Sequence, residues 1–130
     1  QLVELKFFVK KIEDSVFAEP VNLLGYQEYH QEFHDRILLI SGNERLKKIS
    51  DSIHLQVCRF SYKSLQDKAH LHASIRYHRR IIDALKKKNK SSACKLMKDH
   101  VLEALDVLLD MYDHGEEAAN IHAFKVAATE

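Results

Sequence analysis

A polar turn near the C-terminal end sets the strongest constraint on this chain. The run KKKNKSS separates two amphipathic stretches, and its Asn89 lies 11 residues after His78 and 11 before His100. Asn is a good helix N-cap, so the run reads as the tight connection of a helical hairpin. At about 1.5 Å of rise per residue, both histidines lie about 16 Å from the turn. In an antiparallel hairpin they end level and facing each other. Both sit on apolar lines. His78 continues Leu71, Ile75, Ile81, Ile82 and Leu85. His100 continues Ala93, Leu96, Met97, Ala104, Val107, Leu108 and Met111. Side chains three and four residues apart share one helix face, so these stripes point the two imidazoles inward.

Two more histidines match them. His30 and His34, in YHQEFHDRILL, are one helical turn apart and stack on one face. They lie on the line of Leu23, Leu24, Gln27, Phe33, Ile37 and Leu38. Two imidazoles so spaced can chelate one ion, and a third helix carrying them can close the site above the hairpin. Each buried neutral imidazole needs partners for two ring nitrogens. One shared metal would supply four of them. On spacing alone a shared ion and four separately satisfied core histidines both remain open.

The rest of the pattern is helical. One Pro and three Gly in 130 residues suit long helices and not an all-β fold. With 45% hydrophobic residues the chain has enough for one core, so residues 1–130 read as a single all-α antiparallel bundle. Residues 1–17 form an amphipathic helix along Leu2, Leu5, Phe8, Val9, Ile12 and Val16. A second helix runs from about Pro20, at its first turn, to Ile40, and Gly42 supplies the positive φ that ends it. Asn43 then caps a third helix with Leu46, Ile49, Ile53, Val57 and Phe60 as its inward line. Residues 61–70 read as a loop or frayed end. Two helices follow, over about 71–88 and 90–113, and then an Ala-rich tail with Ile121, Phe124 and Val126.

Composition excludes several classes. The net charge of +1 creates no global field for nucleic acid. Arg79, Arg80 and Lys86 to Lys88 form a basic strip without interleaved aromatics, which reads as a solvated face and helix-end compensation. There is no bilayer-spanning run and no signal-peptide pattern. Cys58 and Cys94 read as buried, reduced thiols of a cytoplasmic protein. His70 and His72 read as solvated, and His54 and Arg59 as border positions of the third helix.

Two blocks carry a family resemblance. EFHDRILLISGNERL resembles the Asp-x-x-Phe-His motif and following turn of the FCD domain, the C-terminal effector-binding domain of FadR-type GntR transcriptional regulators. YHRRIIDALKKKNKSSACKLMKDHV resembles the same family's His-x-x-Ile-x-x-Ala-Leu, polar turn and Met-x-x-His. The similarity covers about residues 1–113 and implies an FCD-type helical bundle. In the metal-binding branch of that family one Asp and three His hold a divalent ion. By position the three are His34, His78 and His100, and His30 stands where the family has Asp. Exchanging a carboxylate for imidazole favours a transition metal, Zn first and Ni second.

The resemblance further implies a small carboxylate effector, a homodimer, and operator binding only through an N-terminal winged-helix domain absent from this chain. The family's first helix, which often supplies an Arg toward the effector, also precedes residue 1. Arg59 and Arg76 are the candidate effector-binding residues here. The rival readings are a metal-dependent helical-bundle enzyme and a structural metal-binding module. Neither Glu32 nor Asp35 lies on the buried line as a general base, and the paired Glu-x-x-His signature of di-iron bundles is not repeated.

Overall fold

The computed structural model describes residues 1–113. Five helices occupy them: α1 Leu2–Val16, α2 Leu23–Ile40, α3 Glu44–Ser64, α4 Lys68–Lys86 and α5 Lys90–Asp113. Packing closes them into a ring, α1 on α2, α2 on α3, α3 on α5, α5 on α4 and α4 back on α1. The fold is the expected all-α bundle. Its core is built from Leu5, Val9, Ile12 and Val16 of α1, Tyr26 and Phe33 of α2, and Leu71, Ile75, Ile81 and Ile82 of α4. Most of these lie on the 3.6-residue stripes of the sequence and face the ring's interior, but Tyr26 is buried off the α2 line, and Leu2 and Leu24, placed on their lines, are exposed at 36% and 71%.

Caps fix where the helices begin. Asn43 accepts from the Leu46 N–H and Asn89 from the Ser92 N–H, as their positions suggest. The start of α2 differs from expectation. Pro20 lies before the helix, and Asn22 is the cap, accepting from the Gly25 N–H at 2.9 Å. Gly25 is there because α1 and α2 approach closely. A Cβ on it would lie 2.5 Å from Asn22 Nδ2 and 3.0 Å from Ser15 Oγ. At the hairpin, Lys88 takes a positive φ of 53°, and the Asn89 N–H bonds the Ala84 carbonyl at 2.9 Å. This closes α4 with a left-handed residue of the kind usually filled by glycine. Gly42 fills that role after α2, at φ 67°.

Two further expectations are corrected. The stretch 61–70 is not a loop. Helix α3 continues to Ser64, and Asp67 caps α4 by accepting from the His70 N–H at 2.9 Å. Only residues 65–67 connect the two helices. The inward line assigned to α3 is also rotated. Leu46, Ile49 and Ile53 are exposed, at 44%, 49% and 54%. Polar contacts set that rotation: Lys47 reaches Asp35 of α2 at 3.5 Å, and Gln27 of α2 donates to the Cys58 carbonyl. Lower down, Phe60 packs against Tyr112 of α5. Cys94 is exposed and not buried, whereas Cys58 is half-buried, and both are free thiols. The tail residues Ile121, Phe124 and Val126 lie outside the described residues.

Candidate metal centre

In the ring, α2 stands across the interior from the α4–α5 hairpin. The side chains that span this gap are mostly imidazoles. His30 Nε2 lies 3.3 Å from His100 Nε2, and His34 Nε2 lies 3.3 Å from His78 Nε2. The His34 and His100 rings are nearly parallel, with centroids 5.4 Å apart. The His78 ring meets those of His30 and His100 edge-on, at 4.9 and 4.6 Å. One ring nitrogen from each of the four lies within 4.8 Å of the others. His78 and His100 are buried, and His30 and His34 are half-buried. The hairpin arithmetic holds: the two histidines equidistant from Asn89 do meet.

Burial dominates the electrostatics. It holds all four imidazoles below the usual histidine range, His34 at about 4 and His100 at about 3. Mutual repulsion of the charged forms adds to this at His30, His78 and His100. At neutral pH the site is therefore four neutral imidazoles, the form that ligates metals. Protein groups alone satisfy these rings poorly. The Nδ1 atoms of His78 and His100 are buried without a hydrogen-bond partner. Each 3.3 Å contact needs one nitrogen to carry the proton and the other to stay bare. A divalent ion would accept the converging Nε2 lone pairs of all four rings at once and leave each proton on the outer Nδ1; the buried Nδ1 atoms of His78 and His100 lack a protein partner in either case. Zn–N bonds of about 2.0–2.1 Å in a tetrahedron put neighbouring nitrogens about 3.3–3.4 Å apart, which matches the two short contacts.

A second polar layer lies one turn from the imidazoles. Tyr26 precedes His30 by a turn, Ser74 precedes His78 by a turn, and Glu103 follows His100 by nearly one. The Tyr26 hydroxyl donates to Ser74 Oγ at 2.5 Å, and both residues are buried. Burial pushes the Tyr26 hydroxyl above its ordinary range, and the Glu103 carboxylate nearby adds to the effect, so the phenol stays protonated. His70, also on α4, pairs through Nδ1 with Glu103 Oε2 at 2.9 Å. It is 4% exposed, so the expectation of a solvated His70 is corrected. Helix α4 begins three residues earlier than its stripe suggests, which carries position 70 onto the inward face. The available signal was the spacing of four between His70, Ser74 and His78.

The other candidates fall elsewhere. Arg76 is exposed on α4, two residues from buried His78 and hence on the opposite face. The side chain of Arg59 lies outside what is described. His54 is half-buried and close enough to His30 and His34 that its charge would lower both. His72 is exposed with its ring against Phe17. Glu32 is exposed, and half-buried Asp35 is engaged by Gln31 and Lys47. A cleft of about 480 Å³ opens between the α1–α2 connection and the start of α4, lined by Phe17, Pro20, Lys68 and His72 among others, away from the four histidines.

The family model of the FCD domain matches residues 8–103, a span that takes in all four histidines. The chain belongs to the FCD domain family. No curated protein and no solved structure matches it. FCD domains are regulatory domains of transcription regulators, and the histidine cluster of this one is compatible with metal binding. No helix among the described residues of this FCD domain is long and apolar enough to cross a membrane.

Proposed function

We propose that this FCD domain is the effector-sensing part of a cytoplasmic bacterial GntR-type regulator, and that it binds a divalent transition metal through His30, His34, His78 and His100. The observation that carries the reading is the convergence of four neutral imidazoles, with one ring nitrogen from each within 4.8 Å of the others. The all-nitrogen donor set favours Zn, with Ni second. A bound ion would supply the positive charge that offsets a carboxylate drawn into an otherwise costly interior. The effector is accordingly a small carboxylate. The chain's own residues hold the site from three helices, so occupancy biases how α2 packs against the α4–α5 hairpin. In a homodimer, that packing would set the spacing of two winged-helix domains that contact operator DNA.

The test is the metal content of the purified chain by mass spectrometry, with wild type beside His78→Ala and His100→Ala. About one equivalent per chain, lost in both variants, is the expected result for a shared site. A wild type that takes up neither Zn nor Ni overturns the reading.

A further inference from the structure

Helices α2 and α4 supply three of the four imidazoles, and neither is the other's packing neighbour. Each packs on α1, and they face each other across the interior. Among the described residues, two polar side-chain contacts cross between them. One is His34 with His78, at 3.3 Å between the Nε2 atoms. The other is the Tyr26 hydroxyl, which donates to Ser74 Oγ at 2.5 Å. The two pairs advance in the same order along both helices, so α2 and α4 run parallel. Tyr26 lies one turn before His30, and Ser74 one turn before His78. The bond is therefore a brace about 6 Å along both helices from the ligands. Tyr26 is 1% exposed and Ser74 0%, so no water competes for it.

The phenol also touches a ligand. Its ring lies against the His30 ring, with centroids 5.5 Å apart and planes 18° from parallel. Offset stacking of this kind fixes the plane of the imidazole, and the plane decides where the ring nitrogen lone pair points. The Asp that the sequence resemblance implies at position 30 would have no ring to stack. Tyr26 thus does for His30 what an outer hydrogen bond does for other ligating histidines.

We propose that Tyr26, pinned by Ser74, is a positioning residue for the metal centre, setting the gap between α2 and α4 and orienting His30 before the ion binds. The proposal rests on the metal reading above and deepens it by naming what presets the affinity and selectivity of the site. With the brace in place, the His34 and His78 nitrogens already stand at the spacing of neighbouring donors around Zn. Without it the two helices relax, and binding must draw them together again. Zn should then weaken and lose part of its advantage over Ni, which takes square-planar or tetragonal geometry more readily.

The test is competition of the purified chain with a chromophoric chelator for Zn and for Ni, with the visible absorption of the Co-loaded chain as a signature of site geometry. The proteins are wild type, Tyr26→Phe, Ser74→Ala and the double variant. Tyr26→Phe keeps the stacked ring and loses the bond. The serine hydroxyl can then turn to a carbonyl of its own helix, so this variant should fold, and circular dichroism checks each protein. Zn affinity is expected to fall about tenfold in each single variant and no further in the double variant. The ratio of Zn to Ni affinity is expected to drop, and the Co spectrum to change. Ile12→Val removes a methyl group from a fully buried position of α1. It should lower stability while leaving Zn affinity and the Co spectrum as in wild type, which separates positioning from general loosening of the core.

A folded Tyr26→Phe with unchanged Zn affinity, Zn-to-Ni ratio and Co spectrum overturns the proposal and leaves the metal centre intact. Losses that add in the double variant also overturn it, because the two hydroxyls would then act separately. A wild type that binds none of the three metals removes the metal reading itself, and this proposal with it.

Discussion

The four imidazoles are held neutral by burial, which makes the domain acid-sensitive in a defined direction. His34 titrates at about 4 and His100 at about 3 in the fold, against an ordinary value of 6.5 in the unfolded chain. Between those values the unfolded chain binds protons that the folded chain refuses, so stability is complete above about 6.5 and falls as the pH drops toward 4. The slope is at most about 1.4 kcal/mol per pH unit for each such histidine. Thermal midpoints of the metal-free chain should decline across that window, and less steeply in His34→Gln. A midpoint flat from pH 6.5 to 4 would contradict this account. His30 invites a second test. Replacing its neutral donor by the carboxylate of His30→Asp gives the Asp-and-three-His set that the sequence resemblance implies and adds a negative charge. Mn should then gain affinity relative to Zn and Ni, read by competition with a chromophoric chelator, because carboxylate oxygen suits harder ions. An unchanged ranking would mean that position 30 does not ligate.

Helices, unlike side-chain pairs, were largely legible in the chain. Apolar stripes fixed α1, α2, α4 and α5, and Asn43, Asn89 and Gly42 marked their ends, because caps act through groups a few residues away. What escaped depends on two elements at once. The face that α3 buries is set by Lys47 meeting Asp35 and Gln27 meeting the Cys58 carbonyl, so its apolar line at Leu46, Ile49 and Ile53 pointed the wrong way. Tyr26 with Ser74, and His70 with Glu103, are pairs between helices 33 to 48 residues apart in sequence, and no local period records them. His78 and His100 were legible because a hairpin of equal arms converts sequence distance into height, and His30 and His34 because one helical turn stacks them on an apolar line. Two backbone positions give predictions at this scale. Gly25→Ala forces the Asn22 side chain off its cap and crowds Ser15, which should cost about 1–2 kcal/mol in urea unfolding. Lys88→Gly relieves a left-handed non-glycine residue and should stabilise by about 0.5–1 kcal/mol, since the relief of strain exceeds the entropy glycine adds to the unfolded chain. Opposite signs in the same assay separate close packing from backbone strain.

Across the whole molecule, the ring order determines what an ion does. Helix α2 packs laterally on α1 and α3, while the α4–α5 hairpin closes the far side. The two sides meet over the interior through Tyr26 with Ser74 and through the imidazole contacts. An ion on these imidazoles therefore joins the two halves of the ring and does not merely fill the core. A ligand that binds only the folded state stabilises it by about 4 kcal/mol at a thousandfold excess over its dissociation constant, so Zn should raise the thermal midpoint by several degrees. Where the protection falls tests the architecture. Amide exchange should slow in the middle of α2 around His30 and His34, and in α4 and α5 around His78 and His100. The exposed side of α3 at Ile49 and Ile53 should change least, because α3 supplies no ligand. Stabilisation without that pattern would place the ion elsewhere. His34→Ala should lose the Zn-dependent increment, whereas Gly25→Ala should keep it while starting from a lower midpoint, since the atoms nearest a side chain at position 25 belong to Asn22 and Ser15.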